Sequence, residues 1–230
     1  MEAIVLAGGL GTRLAPHVPG IPKPMAPVRG RPFLSYVLAQ LKRTGVDRII
    51  LAVGYKHEVI LQYFGGSYEG IPISYSHESR PLGTGGAIRQ AASLLPRKST
   101  VYVLNGDSLF DADLTEMANC HRKWGADITV ALKRVRNTQR YGSVSMEGDR
   151  ITAFHEKRPV QEAWINGGIY TIRTDVLRTL MLPESFSFEH DVLERYIGRL
   201  RMFGFRDDGY FIDIGIVEDY LRAQRELMEP

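Results

Sequence analysis

The sequence predicts an α/β protein in which a mixed, mostly parallel sheet is flanked by helices. Strand and helix patterns alternate through residues 1–127, and the strand patterns are short, continuous apolar runs. The helix patterns stop at Gly45, Pro96 and Gly125, which are residue types that end helices. Apolar strands that alternate with amphipathic helices predict the βαβ units of a Rossmann-like sheet.

Four strands and four helices are predicted in this first part. The strand patterns cover 4–7, 48–53, 73–76 and 100–104, and the helix patterns cover 33–43, 58–64, 85–95 and 114–124. The first helix is indicated by Phe33, Val37, Leu38 and Leu41, whose spacing places them on one helix face. The Pro-rich stretch 16–32 is predicted to be a loop, in the position of a lid over the preceding turn.

The pattern changes after residue 127. Short strand patterns are separated by charged or glycine-containing turns at 128–132, 142–146, 150–154 and 168–172, and helix patterns return at 175–180, 188–197 and 217–227. This change predicts a smaller antiparallel or mixed β region that carries a second substrate. Because no repeat or linker separates the halves, we expect a single domain over 1–230, with parts of approximately 1–127 and 128–230.

Composition excludes several classes of function. The chain has 230 residues, 44% of them hydrophobic, and a net charge of +3, without a run of Lys or Arg long enough for a nucleic-acid arm. Cys120 is the only cysteine, so no intrachain disulfide is expected. The first residues lack the pattern of a signal peptide, and no apolar stretch approaches membrane length. We expect a cytoplasmic protein without nucleic-acid or membrane partners, for which a homodimer is allowed.

The first strand pattern leads directly into a glycine-rich turn that suits phosphate binding. Three glycines fall within residues 8–11, Arg13 follows, and Lys23 stands between two prolines. Small residues allow backbone N–H groups to reach phosphate oxygens without a Cβ in the way. Arg13 and Lys23 would add fixed positive charge beside the same anion. These features together predict a binding site for a nucleoside triphosphate.

Two better-known glycine loops do not fit this turn. A dinucleotide fingerprint would need a third glycine at the position of Leu14, and a P-loop would need Gly-Lys-Ser/Thr where this chain has Gly-Thr-Arg. The remaining alternative is a strand-to-helix turn without a ligand, for which Arg13 and Lys23 would have no purpose.

Two aspartates are candidates for chemistry beside the turn. Asp107 follows the apolar strand pattern 100–104, at a strand end where open parallel sheets bind ligands, and one or two carboxylates are what Mg²⁺ takes from a protein. The alternative is an ordinary turn aspartate. Asp213 lies between apolar neighbours and needs a partner, unless it caps the following helix, for which Glu218 and Asp219 are better placed.

The ordered segments 8–14 and 22–28 resemble the signature of the sugar-1-phosphate nucleotidylyltransferases. The resemblance implies the nucleotide-diphospho-sugar transferase fold, in which 1–127 binds a nucleoside triphosphate and 128–230 binds a sugar 1-phosphate. It implies Mg²⁺-assisted in-line attack on the α-phosphate, with Asp107 and Asp213 as the metal ligands. The implied catalytic residues are Arg13 on the β- and γ-phosphates, Lys23 on the α-phosphate, and Asp107.

The resemblance extends to the nucleotide-binding residues. These residues come from the first turn and from a second glycine-rich turn that opens a helix: Leu6, Ala7, Gly8, Gly9, Gly11, Thr12, Arg13, Glu78, Pro81, Gly83, Thr84 and Gly85. Glu78 falls where a contact to the base edge is expected. A carboxylate only accepts hydrogen bonds, and guanine offers two adjacent donors to it, so Glu78 favours GTP over UTP and CTP.

A third group of residues is implied for the sugar 1-phosphate. It consists of Gly106, Tyr141, Gly142, Glu156, Lys157, Asn166, Gly167 and Gly168. In the family the Glu accepts sugar hydroxyls, the Lys meets the sugar phosphate, and the glycines let the sugar approach the backbone. The alternative for Glu156 and Lys157 is a solvated charge pair. No protein nucleophile is required, because the sugar phosphate is itself a competent oxyanion.

Within the family, several segments look most like enzymes that form GDP-D-glycero-α-D-manno-heptose from GTP for capsule or surface-layer glycans. These segments are 22–27, 53–58, 81–86, 166–170 and 185–189. A mannose 1-phosphate guanylyltransferase or a uridylyltransferase would keep every motif, and a phosphocholine cytidylyltransferase would not need the sugar-type motifs. A non-catalytic regulatory subunit of the same fold is expected to have lost Lys23 or an aspartate, and this chain retains all three. One departure from the family pattern is the stretch 16–20.

Overall fold

The computed structural model describes residues 1–9, 14, 18–136 and 140–228, and the account of the fold is limited to them. The first eight strands are β1 (Glu2–Leu6), β2 (Pro27–Val28), β3 (Arg31–Pro32), β4 (Ile49–Val53), β5 (Ser67–Tyr68), β6 (Ile71–His77), β7 (Thr100–Asn105) and β8 (Ser108–Phe110). The later strands are β9 (Ile128–Arg136), β10 (Ser143–Glu147), β11 (Arg150–His155), β12 (Glu162–Arg173), β13 (Met202–Asp207) and β14 (Phe211–Asp213).

Six α-helices accompany these strands in the described part of the chain. They are α1 (Phe33–Thr44), α2 (His57–Phe64), α3 (Gly83–Ala92), α4 (Leu114–Lys123), α5 (Thr174–Thr179) and α6 (Val217–Glu226). A 3₁₀ turn covers Lys23–Met25 and a π-helical turn covers Glu189–Glu194. Helix α1 ends at Gly45, whose φ of 74° suits a residue without a Cβ, and Asp113 caps α4 by accepting from Glu116 N at 2.9 Å. None of the helices in the described ranges is long and apolar enough to cross a membrane.

One ten-stranded sheet organises the molecule, in the order β10-β11-β13-β9-β12-β7-β1-β4-β6-β5. Strands β7, β1, β4 and β6 pair in parallel, whereas β12 joins β7 and β9 in antiparallel fashion. Strand β13 is parallel to β9. The mixed α/β fold predicted from the sequence is therefore confirmed, with its parallel pairing concentrated in the first part of the chain.

The two faces of the sheet carry separate buried clusters. Along β1, Val5 faces a cluster that includes Phe33 of α1, and Ile4 faces a second cluster that includes Ile88 of α3. This alternation follows from the two-residue period of a strand, which sends successive side chains to opposite faces. Continuous apolar strands are therefore required here, because helices cover both faces of the sheet.

The second part of the chain differs from the sequence-based expectation at two elements. The smaller β region predicted from the sequence forms an edge of the central sheet. Strand β13 was not predicted, because Gly204, Arg206 and Asp207 interrupt its apolar pattern. The predicted helix 188–197 is a π-helical turn over Glu189–Glu194.

The parallel strands β1, β4, β6 and β7 end on the same side of the sheet, at Leu6, Val53, His77 and Asn105. Ligands of open parallel sheets bind beyond the carboxyl ends of their strands. The fold therefore directs the search for a functional site to this side of the sheet.

Candidate active site

A cavity of about 830 Å³ lies beyond these strand ends. Its walls include Leu6 at the end of β1, Gly54 after β4, Glu78 after β6 and Asn105 at the end of β7. A volume of this size falls within the range of small-molecule and cofactor sites. The cavity is therefore the candidate active site, and its chemistry depends on the charged side chains around it.

Lys23, Asp107 and Asp213 form a charged cluster at one end of the cavity. Lys23 Nζ donates to Asp107 Oδ2 at 2.8 Å and to Asp213 Oδ1 at 3.3 Å. The Lys23 side chain is 9% exposed, while the two aspartates are 39% and 29% exposed. Two negative charges against one positive charge leave the cluster attractive to a further cation.

Strand pairing explains why two distant aspartates meet. Strands β8 and β14 pair so that Asp213 lies opposite Ser108, directly after Asp107 in the chain. Beyond the pair, Ile214 N donates to Asp107 O at 3.2 Å. The backbone thus holds both carboxylates beside each other even without a ligand.

Gly215 completes this arrangement, although sequence analysis did not assign it to the site. Its N–H donates to Asp213 Oδ1 at 2.8 Å. A Cβ at this position would lie 3.0 Å from Asp213 Oδ1 and 3.3 Å from Lys23 Nζ. A side chain would therefore crowd the cluster, and this close approach is the reason for a glycine here.

Lys23 is held by its local backbone. It opens the 3₁₀ turn Lys23–Met25 and is preceded by Pro22, whose φ is −62°. Pro24 and Met25 are buried beneath the turn. The ring of each proline restricts φ, so the lysine backbone has little freedom and the ammonium group is directed at the aspartates.

The carboxylates at this cluster fit Mg²⁺ better than a softer metal. Both side chains offer hard oxygen ligands, and Mg²⁺ is usually bound through one or two carboxylates with phosphates and water completing its shell. Among the described residues there is no group of three or more His, Cys, Asp or Glu side chains that could hold a metal by themselves. The pair therefore suits a cation that shares its coordination with a bound substrate.

Glu78 lies at the other side of the cavity, against the first glycine turn. Its Oε2 accepts from Leu82 N at 3.0 Å, and a Cβ on Gly8 would lie 2.8 Å from its Oε1. Burial raises the pKa of the Glu78 carboxyl, and the Leu82 N–H and His77 offset only part of that effect. One carboxylate oxygen of Glu78 is thus held by a backbone N–H, while the Glu78 side chain lines the cavity.

Several residues predicted to bind the nucleotide or to act in catalysis line the cavity. Leu6, Gly8, Gly9, Lys23, Glu78, Pro81, Gly83, Thr84 and Asp107 do so. Gly11, Thr12 and Arg13 lie outside the described residues, so their predicted roles stay predictions.

Three residues that were predicted to contact a substrate are buried, and their backbone N–H groups have partners within the protein. Ala7 is 1% exposed and donates from its N–H to Ala52 O at 2.7 Å. The N–H of Gly85 donates to Phe186 O at 3.0 Å, and that of Gly106 donates to Leu6 O at 2.9 Å. Their N–H groups already have partners within the protein, so the predicted substrate contacts at these positions would have to involve other atoms.

The glycines of the second turn have a packing role that sequence analysis missed. A Cβ at Gly83 would lie 2.5 Å from Phe186 O, and one at Gly85 would collide with the Phe186 ring. A Cβ at Gly86 would lie 2.7 Å from Glu184 O. These glycines therefore allow the segment 184–188 to pack against the start of α3.

None of the residues predicted for the sugar phosphate lines the cavity, and three of them meet where β10, β11 and β12 pair. Ser143 lies opposite both His155 on β11 and Ile165 on β12. This register brings together three positions that directly adjoin those residues, namely Gly142, Glu156 and Asn166. Glu156 and Lys157 are exposed.

Tyr141 lies near the aspartate cluster. Its ring meets that of Phe211 edge to face at 5.8 Å between centroids, two residues before Asp213. Burial raises the pKa of the Tyr141 phenol, and the charge of Arg140 partly offsets this effect. Tyr141 therefore stays protonated as a hydrogen-bond donor beside the cluster.

Gly167 and Gly168 are explained by their surroundings in the sheet. A Cβ at Gly167 would collide with the Phe110 ring, and one at Gly168 would lie 2.7 Å from Asn105 Nδ2. Gly168 also has a φ of +75°, which favours glycine. Both Cβ directions meet protein atoms, so packing within the sheet is by itself a reason for glycine at these positions, and the predicted approach of a sugar stays a prediction.

Sequence analysis gave no role to two histidines on the cavity wall. The rings of His57 and His77 lie 4.0 Å apart between centroids. His77 ends β6, and His57 follows β4 by four residues. The position of both after parallel strands was the signal that could have identified them.

Comparison with known proteins defines the class. The family model described as nucleotidyl transferase matches residues 2–229. The chain belongs to this family, so the family predicted from the sequence is confirmed.

Two relatives narrow the comparison further. The chain is 48% identical over 230 residues to D-glycero-alpha-D-manno-heptose 1-phosphate guanylyltransferase of Aneurinibacillus thermoaerophilus, covering 99% of this chain and 98% of the relative. It is 45% identical to the enzyme of the same name from Campylobacter jejuni, with 96% and 97% covered. Mannose-1-phosphate guanylyltransferase of Mycobacterium tuberculosis is more distant, at 38% identity over 99% of this chain and 65% of that protein.

A solved structure agrees in fold along nearly the full length of the chain. HddC from Yersinia pseudotuberculosis, complexed with GMP-PN, superposes with a TM-score of 0.86 at 32% identity. The match covers 98% of both chains. The predicted similarity to heptose 1-phosphate guanylyltransferases is therefore confirmed by the sequence relatives.

Proposed function

We propose that the protein transfers the GMP portion of GTP to D-glycero-α-D-manno-heptose 1-phosphate, forming GDP-heptose and pyrophosphate. The observation that carries the proposal is the Lys23–Asp107–Asp213 cluster at the end of the cavity. The 48% and 45% identities to enzymes of this activity support the choice of both substrates.

The reaction needs no nucleophile from the protein. A phosphate oxygen of the sugar 1-phosphate attacks the α-phosphorus of GTP, and the bond from that phosphorus to the bridging oxygen of pyrophosphate breaks. Catalysis then consists of alignment and of neutralising the charge that develops on the α-phosphate. Lys23 is suited to the second task because it is rigidly held and nearly buried.

Asp107 and Asp213 would hold Mg²⁺, whose positive charge would offset that of the reacting phosphates when it is bound. Lys23 contacts both carboxylates, so its positive charge offsets part of the repulsion between the two negative charges.

Glu78 is proposed to select the base. Its carboxylate lies in the cavity wall and offers acceptors to the two adjacent donors of guanine. Its hydrogen bond from Leu82 N limits rotation, so the remaining acceptor sites have a fixed direction.

Pyrophosphate release measures this proposal directly. GTP, ATP, UTP and CTP are each combined with the 1-phosphates of heptose, mannose and glucose, and the nucleotide sugars are identified by mass spectrometry. The expected result is the highest kcat/KM for GTP with the heptose 1-phosphate. A clear preference for mannose 1-phosphate would favour the second candidate, a mannose-1-phosphate guanylyltransferase, which the relative at 38% identity supports.

A location in the cytoplasm is proposed because the reaction consumes a nucleoside triphosphate. The homodimer stays a prediction, which light scattering of the purified protein tests.

A further inference from the structure

A line of hydrogen bonds joins the nucleotide side of the molecule to the sugar side. Thr84 Oγ1 donates to Glu189 Oε2 at 2.7 Å, and Tyr170 OH donates to Glu189 Oε1 at 3.4 Å. Asn166 Nδ2 then donates to the Tyr170 oxygen at 2.8 Å, and Gly168 N donates to Asn166 Oδ1 at 2.9 Å. Thr84 lines the cavity, whereas Asn166 belongs to the residues predicted for the sugar phosphate.

The direction of each hydrogen bond is fixed by the chemistry of the groups. A carboxylate can only accept, so the Tyr170 proton points to Glu189 and the phenol oxygen is left to accept from the Asn166 amide. Asn166 thereby has one orientation, with its nitrogen toward Tyr170 and its oxygen toward Gly168. Two residues that sequence analysis did not assign to the site, Tyr170 and Glu189, thus determine how Asn166 is presented.

Burial makes this line of contacts rigid at its centre. Tyr170 is 1% exposed, and its ring packs edge to face against Phe188 at 5.0 Å between centroids. Burial raises the pKa of the Tyr170 phenol well above its ordinary value, so it stays a donor throughout the working pH range. Phe188 N also donates to Thr84 Oγ1 at 2.9 Å, which holds the threonine at the other end.

We propose that Tyr170 is a positioning residue that couples the two substrate subsites through Glu189. Glu189 Oε2 accepts from Thr84 Oγ1 and also from Ser187 Oγ at 3.1 Å, so Thr84 is one of two hydroxyls that hold it. A nucleotide that contacts Thr84 would restrict Glu189 further, and the 3.4 Å contact to Tyr170, the longest of the line, would tighten. The consequence is a better-ordered Asn166 and tighter binding of the sugar phosphate. This inference rests on the proposed function, since it needs a nucleotide on one side and a sugar phosphate on the other.

Calorimetry on the purified protein tests the coupling. The Kd of heptose 1-phosphate is measured with and without a non-hydrolysable GTP analogue, and the ratio of the two values is the coupling factor. For the unaltered protein we expect a ratio of at least about 5. Tyr170→Phe, which removes only the hydroxyl, should lower the ratio toward 1, the value without coupling, and a loss of this size lies within the roughly threefold to tenfold that one internal hydrogen bond contributes. Its Kd for the GTP analogue alone should be unchanged.

Tyr102→Phe is the matched control. Tyr102 is 3% exposed, and its hydroxyl donates to Leu114 O at 2.7 Å, away from both subsites. The same atom is lost from an equally buried phenol, so a loss of stability alone would appear in both variants. The coupling factor should fall only in Tyr170→Phe.

A pair of substitutions at Thr84 keeps the test independent of the buried core. Thr84 is exposed, so its variants should fold even if Tyr170→Phe does not. Thr84→Ser retains the hydroxyl and should retain the coupling, whereas Thr84→Val has a similar shape without it and should lose the coupling. Equal coupling factors in the Ser and Val variants, or an unchanged factor in Tyr170→Phe, would overturn the inference. If the unaltered protein bound neither ligand, the proposed function itself would be wrong.

Discussion

The region proposed for the nucleotide and the region proposed for the sugar, called the nucleotide region and the sugar region below, differ in how far the described residues enclose them. The nucleotide region is a cavity of about 830 Å³ whose walls follow the ends of buried parallel strands. On the sugar side, Glu156 and Lys157 are exposed after β11. A strand end within a covered sheet holds its side chains in place before any ligand arrives, whereas exposed side chains are ordered by the ligand itself.

This difference predicts different kinetic effects of substitution. A group that is already in position can act on the transition state, so its loss should lower kcat. A group that becomes ordered with the substrate contributes to both ground state and transition state, so its loss should mainly raise KM. Four substitutions test the comparison, starting with the largest expected effect.

Asp107→Asn should lower kcat at least ~100-fold, because one electrostatic stabiliser is removed from the enclosed cluster. Asp107 is 39% exposed, so the fold should tolerate the amide and Tm should change little. Pyrophosphate release at saturating substrates and Mg²⁺ measures kcat. Asp208→Asn is the control, since Asp208 is 75% exposed and lies outside the cluster. Near-normal turnover of Asp107→Asn would contradict the proposal that Asp107 is a ligand of Mg²⁺.

Lys23→Met should lower kcat about 100-fold and change the KM for GTP much less. The substitution keeps a long apolar stem but removes the charge that neutralises the α-phosphate in the transition state. Steady-state rates over a range of GTP concentrations separate the two constants. Lys42→Met serves as the control, because Lys42 is on α1 and 50% exposed. An effect confined to KM would show that Lys23 binds only ground-state phosphate.

The same contrast explains what the sequence could predict. The glycine turn, Lys23 and Asp107 follow or adjoin strand patterns that are local in sequence, so their grouping could be predicted. Strand β13 could not, because it pairs with the distant β9 and its pattern contains Gly204. Long-range pairing of this kind overrides the local signal.

Glycine-rich segments show the limit most clearly. The glycine-rich segment 83–86 looks like a ligand loop in the sequence, yet the Cβ directions of Gly83, Gly85 and Gly86 meet the segment 184–188. A glycine-rich sequence indicates that another group approaches the backbone closely, but it does not show whether that group belongs to a ligand or to the protein. Only the tertiary contact with a segment about 100 residues later distinguishes the two.

Glu78→Gln should lower the ratio of kcat/KM for GTP to kcat/KM for UTP by about one to two powers of ten. A bidentate contact to the correct base is worth roughly 1–3 kcal/mol, and the amide replaces one acceptor with a donor. Competition between GTP and UTP at one sugar 1-phosphate concentration gives the ratio. Glu58→Gln is the control, because Glu58 lines the same cavity but is 73% exposed. An unchanged ratio would show that backbone groups read the base.

The pH dependence of base preference sharpens this prediction. Burial raises the pKa of Glu78, so its carboxyl becomes protonated at a higher pH than an exposed Glu would. Protonation turns one acceptor into a donor, and the preference for GTP should therefore fall as pH is lowered through that raised pKa. The Glu78→Gln variant has no such group, so its preference should stay constant over the same range.

Glu156→Gln should produce the smallest of these effects, a rise of about 10-fold in the KM for the sugar 1-phosphate. Hydrogen bonds to a charged group contribute roughly 1.5–3 kcal/mol, and the amide keeps one acceptor, so only part of that is lost. Because Glu156 is exposed before substrate binds, kcat and the KM for GTP should stay within about twofold of the unaltered protein. Glu147→Gln is the matched control, since Glu147 is also exposed and ends β10, opposite Arg150 at the start of β11.

If Glu156→Gln lowered kcat with KM unchanged, the sugar side would act on the transition state as the enclosed side does. If neither constant changed, Glu156 would be the solvated charge that its exposure also allows, and the sugar hydroxyls would have to be bound by other residues.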